Sequence, residues 1–335
     1  MFDELFYFQI FILTVVNILI LIFRRSIYSW INIEDNPDGI LKIHKQKIYS
    51  IGGVFFFVNI IIYFLLERIF NVNLNYIYRS DVIDEIIFIF SLSCMFLIGL
   101  YDDKFLINYK LKFFLLSIII ILSIFFDQNL IISNVQFTFS NRIIDLGIFS
   151  IPITILCILL FINALNLFDG IDLQSGFYIL TLSLYFLFEL KQFFFISIFV
   201  ASIFFLYLNY KKEIFLGDNG TILIGFLISY FCIKASQQGS LKSDEIFIMM
   251  MIPGLDMFRL FIIRLMNQKN PFKGDRNHIH HILIDKYGFT KTLIIIQLLI
   301  FFPLILLSTN KISSIIIIFF ILLIYCYLIF YKKKI

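Results

Sequence analysis

Phe161–Ser175 reads FINALNLFDGIDLQS. A hydrophobic run, Ile148–Ile162, leads into it, and another, Phe177–Phe188, leads out. Between them stand Asn163, Asn166, Asp169 and Asp172, with Gly170 between the two acids. Crossing a bilayer needs no amides or carboxylates, and such groups are costly at membrane depth, so they mark a site by default. The surrounding composition makes the membrane reading firm. The chain is 61% apolar and 15% charged, with a mean hydropathy of +0.96, against roughly 45–50% and about 25% in soluble domains. It reads as an all-α polytopic integral membrane protein with no sizeable soluble domain. The apolar runs are solid and of bilayer-helix length, without the short alternating segments of a barrel. The four cysteines, Cys94, Cys157, Cys232 and Cys326, lie inside apolar runs with no CxxC, and read as packing residues.

Eleven spans are predicted: Leu5–Phe23, Gly53–Leu66, Ile86–Tyr101, Phe113–Phe126, Ile148–Ile162, Phe177–Phe188, Phe193–Tyr207, Ile222–Ile233, Ile246–Leu265, Leu293–Leu307 and Ser314–Tyr331. The first has Asp3 and Glu4 before it and Arg24–Arg25 after it, the reverse of a cleavable leader, and reads as a true span. With this count, Lys and Arg divide nineteen to seven between the two sides, and the richer side is cytoplasmic. Every unusual polar cluster falls on that side, in segments 24–52, 102–112, 163–176, 208–221 and 266–292, so one transmembrane domain spans the chain. Ile131–Phe139, on the other side, alternates as a small external hairpin does.

Each cluster has a chemical reading and a plainer one. Asp102–Asp103 ends the third span; adjacent carboxylates repel unless a cation shares them, though a solvated turn uses the same pair. Lys104, Lys110 and Lys112 follow and can hold phosphate as point charges, or simply follow the positive-inside rule. Phe215–Thr221 reads as a turn opening a helix, with Asp218 at an N-terminus that favours anionic oxygen; an N-cap aspartate is the plainer reading. Asn163, Asn166 and Asp169 are spaced i, i+3, i+6, a loose polar stripe if the helix continues. His278-Ile-His280-His281, with Arg276 and Lys273 nearby, suits anion contacts better than zinc. Carboxylates, lysines and imidazoles on one membrane face suit a phosphate-rich substrate with Mg²⁺, a hard cation that takes carboxylate and phosphate oxygen.

The motifs and their order resemble the polyprenyl-phosphate N-acetylhexosamine-1-phosphate transferases of glycosyltransferase family 4, in the superfamily of phospho-MurNAc-pentapeptide translocase. The match runs from Asp35 to His281. It implies transfer of a sugar 1-phosphate from a UDP-sugar to undecaprenyl phosphate, with release of UMP, as the start of a surface polysaccharide. Asp218, in F-x-G-D-x-G, is then the Mg²⁺ ligand (Mn²⁺ the alternative). Asp102 and Asp103 match the family's acid pair, as base or metal helper. Lys112 matches a basic residue near the lipid phosphate, and His278 joins the catalytic set. Asn163, Asn166, Asp169, Gly170 and Asp172 match N-x-x-N-x-x-D-G-x-D. With Lys42, Phe215, Arg276, His280 and His281 they form the nucleotide-sugar side. The implied setting is the bacterial inner membrane, with the site facing the cytoplasm and a homodimer as one oligomeric option.

The chain departs from the family pattern in places. Leu173-Gln174 stands where Gly-Leu is usual, Thr221 replaces Ser, and the segment before Phe215 lacks its proline. HxHH sets the chain apart from the MurNAc-pentapeptide branch, which is the alternative reading within the superfamily. An ion-coupled transporter predicts polar groups at mid-span and an internal repeat; neither is present. A zinc hydrolase predicts HExxH or an equivalent, also absent. The basic residues are too dispersed for nucleic acid.

Overall fold

The computed structural model describes residues 4–35, 47–70, 82–269, 276–309 and 311–330. Among them are twelve α-helices: α1 (Glu4–Ile31), α2 (Gly52–Phe70), α3 (Val82–Phe105), α4 (Tyr109–Phe126), α5 (Ser150–Phe168), α6 (Gln174–Phe188), α7 (Phe195–Tyr210), α8 (Gly217–Gln237), α9 (Ser243–Met266), α10 (Ile279–Tyr287), α11 (Phe289–Ser308) and α12 (Ser314–Phe330). Eleven correspond to the predicted spans, and α10 is a short extra helix within the 266–292 segment. Eight are long and apolar enough to cross a bilayer; α6, α7 and α12 are apolar but shorter. The protein is an all-α, multi-pass membrane protein.

Several helices run past their predicted ends. α3 continues through Asp102 and Asp103, and α5 through Asn163 and Asn166. Hydropathy ends a span at the first polar residue. The helix continues because polar partners on neighbouring helices satisfy those groups.

α8 is the axis of the fold. Every residue from Asn219 to Ala235 is buried, as expected of a helix apolar on all sides. It packs against α2, α3 and α5. Glycines set the closeness of that packing. A Cβ on Gly53 would come within 2.5 Å of the Asn219 backbone, and one on Gly99 within 2.5 Å of Asn219 Cα and the Asp218 carbonyl. Small residues at helix crossings let backbones approach in this way.

Two very small sheets supplement the helices. β1 (Glu34–Asp35) pairs antiparallel with β2 (Ile48–Ser50), and β2 pairs parallel with β5 (Ile214–Phe215). This ladder joins the first polar segment to the fourth. At the other end of the bundle β3 (Asn134–Phe137) and β4 (Ser140–Asp145) form a hairpin; only its first strand lies in the predicted Ile131–Phe139, and the second follows it. Asp244 at the start of α9 accepts the Thr138 N–H at 2.9 Å and holds the hairpin tip. Near the hairpin, Lys234 and Asp127 form a buried ion pair at 2.6 Å, and the Tyr230 hydroxyl donates to the same carboxylate at 2.9 Å.

Pro253 lies inside α9. It has no N–H for the Met249 carbonyl one turn back. The Tyr178 hydroxyl of α6 donates there instead, at 3.0 Å, so the interrupted helix keeps its acceptor satisfied.

Gly99→Ala forces a Cβ into the α8 backbone, and overpacking of this kind costs about 1–3 kcal/mol. Gly254→Ala in α9 meets open space and is expected to hold or raise stability. Thermal unfolding of the two variants in detergent measures the difference.

Candidate active site

One end each of α3, α4, α5 and α8 meets in a cluster around the Lys112 ammonium. Lys112 Nζ lies 2.7 Å from Asp102 Oδ2 and 2.8 Å from Asp218 Oδ2. The Asn166 amide donates to the other Asp218 oxygen and, at 3.1 Å, to the Thr221 hydroxyl. Thr221, at the family's serine position, therefore still offers a hydroxyl oxygen. Five residues from three segments far apart in sequence share one hydrogen-bonded cluster.

Asp102 and Asp103 face different protein partners. Successive helical residues point about 100° apart, and each finds its own partner. Asp102 faces Lys112 and also accepts the Ile107 N–H at 2.6 Å. Asp103 turns toward α8: Oδ1 accepts the Asp218 N–H at 2.9 Å and Oδ2 the Asn219 N–H at 2.8 Å. These are first-turn N–H groups with no partner inside their own helix. The plainer reading of Asp218 as a cap is thereby corrected. The cap position is Leu216, with no side-chain capping bond. Asp103 supplies the capping from α3, so the Asp218 carboxylate is left to face Lys112. Asn219 completes the joint; its amide donates to the Ser50 carbonyl at 2.8 Å.

The Asp169 loop lies alongside. Asp169 ends α5 and accepts a hydrogen bond from Ser175. Burial pushes its carboxyl up to about 7; the Ser175 bond opposes this, and the charges of Asp218 and Asp172 add to it. The turn that follows is tight. Leu173 has φ +68°, and its N–H donates to Asn209 Oδ1 at 2.6 Å. A non-glycine residue there carries about 1–2 kcal/mol of backbone strain, which explains the glycine usual at this position in the family it resembles. Asn209 also donates to the Ile214 carbonyl at 2.8 Å, fastening this loop to β5, where Phe215 pairs with Ser50.

The histidines form a row. His278 and His280 stack with ring centres 5.4 Å apart, and His280 meets His281 edge-on at 4.3 Å. His280 is 1% exposed. It packs so tightly on Gly170 that a Cβ there would sit 2.2 Å from Nε2. Burial pushes the His280 pKa down to about 3, with His281 and His278 adding to the fall. Its imidazole is therefore neutral and packs under the Asp169 turn. His281 is also lowered, by burial first, then by His278 and by Arg276; Arg276 itself is exposed. Lys42, His44 and Lys273 lie outside the described residues.

A cleft of about 200 Å³ opens beside the cluster. Phe113, Leu116, Leu159 and Ile222 make apolar walls, and Lys112, Asn163 and Asn166 supply polar groups. Asn163 also contacts Met257 sulfur at 3.3 Å.

Sequence reasoning passed over Asp256 and Arg259. The Asp256 carboxylate lies 2.9 Å from His278 Nδ1, and Arg259 lies 2.7 Å from Asp256. Both sit in a stretch read only as a span, although a charge inside an apolar run is itself a flag.

Residues 86–236 match the family model described as glycosyl transferase family 4. That range runs from within α3 to the last turn of α8 and holds the whole Asp102–Lys112–Asn166–Asp218 cluster. The chain is 27% identical over 264 residues to an undecaprenyl-phosphate alpha-N-acetylglucosaminyl 1-phosphate transferase of Thermotoga maritima, covering 78% of this chain and 76% of that one. It is 24% identical to proteins of the same name from Yersinia pestis, over 79% of this chain and 73% of that one, and from Salmonella typhi, over 84% and 76%. The helical membrane fold, the ordered motifs and the matched segment agree: over residues 86–236 the chain is similar to glycosyl transferase family 4.

Proposed function

We propose that this protein transfers an N-acetylhexosamine 1-phosphate from a UDP-sugar to undecaprenyl phosphate and releases UMP, on the cytoplasmic face of a bacterial inner membrane. The relatives' names and the family support the reaction class. The observation that carries the assignment is the two-carboxylate, one-ammonium cluster beside an apolar cleft. A polyprenyl phosphate is an amphiphile of matching polarity: a chain for the apolar walls and a phosphate for Lys112.

The cluster also fits Mg²⁺. Asp102 and Asp218 already converge on one cation, the Lys112 ammonium, and both offer hard oxygen. Mg²⁺ is commonly held by one or two carboxylates and completes its shell with water and substrate phosphate, so a two-acid set suffices. We assign Asp218 as principal ligand with Asp102 beside it. A Mg²⁺ held there by Asp218 and Asp102 would supply positive charge to offset that of the diphosphate.

The chain's own residues divide the remaining work. Lys112 attracts and orients the lipid phosphate. Asp102 is the acid beside that phosphate and accepts its proton if one is present. Asp103 is committed to the α8 backbone and positions Asp218. The Asp169–Asp172 turn, with Asn163 and Phe215, receives the nucleotide sugar. An oxygen of the lipid phosphate bonds to the β-phosphorus as the bridging P–O bond to the α-phosphate breaks. The bond broken is the one from the β-phosphorus to the bridging oxygen, so that bridging oxygen leaves on UMP and the lipid keeps a diphosphate-linked sugar.

Purified protein given UDP-GlcNAc, undecaprenyl phosphate and Mg²⁺ is expected to yield UMP. Release of UDP overturns the reading in favour of ordinary glycosyl transfer. Asp218→Asn is expected to lower turnover about 1000-fold, ~4 kcal/mol of barrier, with little change in thermal midpoint. Near-wild-type turnover in that variant refutes the ligand assignment. Asp169 gives a separate pH signature. Its pKa, about 7 folded, exceeds the ordinary aspartate value of about 3.9. It therefore adds stability at low pH that is lost as pH rises through about 7. Asp169→Asn is expected to flatten the fall in thermal midpoint between about pH 4 and 7.

A further inference from the structure

Asp256 accepts from four donors. Oδ1 takes the Ile279 N–H at 3.0 Å, Arg259 Nη2 at 2.7 Å and the Tyr325 hydroxyl at 3.1 Å. Oδ2 faces His278 Nδ1 at 2.9 Å. Arg259 binds the group together, donating from Nε to Tyr325 at 3.1 Å and from Nη2 to the Asn277 carbonyl at 2.5 Å. Asp256 and His278 are 4% and 6% exposed. An ionised carboxylate has no proton to give, so the hydrogen between Oδ2 and Nδ1 belongs to the histidine. That leaves Nε2, on the other edge of the ring, as the edge free for other partners. His278 stacks on His280, and His280 packs against Gly170, next to Asp169.

We propose that Asp256 is a positioning residue: it fixes His278 with Nδ1 protonated and its ring aligned with the site, and the reaction depends on that orientation. A partner on the far nitrogen sets which edge of a histidine meets substrate or metal, and loss of such partners typically costs 10–100-fold. The bracket draws on α9, the start of α10 and α12. The C-terminal helix therefore contributes to the site through Tyr325 without entering it. The dependence of turnover on this bracket rests on the function proposed above; the protonation state of His278 does not.

Asp256→Asn tests both. Oδ1 already serves three donors, so the amide nitrogen takes the Oδ2 position and donates to His278 Nδ1. The imidazole must then carry its proton on Nε2. The chain has four histidines, so ¹⁵N-imidazole labelling of full-length protein in nanodiscs resolves them by NMR, with His278→Gln identifying the signal. The wild type is expected to show an Nδ1–H at His278 that is lost in Asp256→Asn. kcat is expected to fall ~10–100-fold with KM within about threefold. Lys286→Met removes a separate tie between α10 and α12, the ammonium donating to the Leu328 carbonyl at 2.7 Å, and is expected to alter neither readout. An unprotonated Nδ1 in the wild type, an unchanged His278 signal in Asp256→Asn, or unchanged kcat in that variant each overturns the proposal. If wild-type protein releases no UMP from UDP-GlcNAc, the functional reading fails and the NMR result alone decides the state of His278.

Discussion

A helix cannot begin without leaving backbone N–H groups unpaired, and a buried unpaired N–H is expensive. α8 begins among other helices, at the end of the bundle that carries the Lys112 cluster, where water cannot serve every donor. Asp103 solves this from the neighbouring helix by taking the N–H groups of Asp218 and Asn219. Much of the site follows from that contact. It sets the height of α3 against α8, and with it the separation of Asp102 from Asp218. It also frees Asp218 from capping its own helix. Gly53 and Gly99 make the approach close enough for the bonds to form. The adjacent acids thus have unlike roles, one toward backbone and one toward Lys112.

The charged cluster is closely paired but not neutral. Formally, two carboxylates share one ammonium, which leaves one negative charge in a partly buried setting. Coulomb interactions are stronger there than in water, and the residual charge favours a further cation. Asn166 adds only a neutral donor. The neighbouring turn is held differently, by the strained Leu173, by Asn209 and by the neutral His280 wedge. Rigidity on that side comes from packing and neutral hydrogen bonds.

Most of the architecture was legible in the apolar runs, because an apolar stretch of helix length has few other uses in a chain of this composition. Asp102, Lys112, Asn166 and Asp218 were legible as anomalies, polar residues where a membrane protein has no structural need of them. Partner choice was not. Asp102 and Asp103 look equivalent in sequence and differ by about 100° of helix rotation. Asp256 was hidden because Ile246–Leu265 averages as strongly apolar, and the mean conceals one carboxylate. The β2–β5 ladder was hidden because its strands are too short to alternate. Gly99 looked like any small residue in a span; its role appears only when the α8 backbone is seen against it.

The burial of α8 has a further consequence for how the bilayer acts on this protein. In their apolar windows α8 is 94% buried and α4 22%. Asp218 stands on a helix with almost no lipid boundary, while Lys112 stands on one that is mostly boundary. Changes in membrane thickness or acyl-chain order press on α4 directly and reach α8 only through its neighbours. The lipid environment is therefore felt asymmetrically, as a displacement of the ammonium relative to a fixed carboxylate.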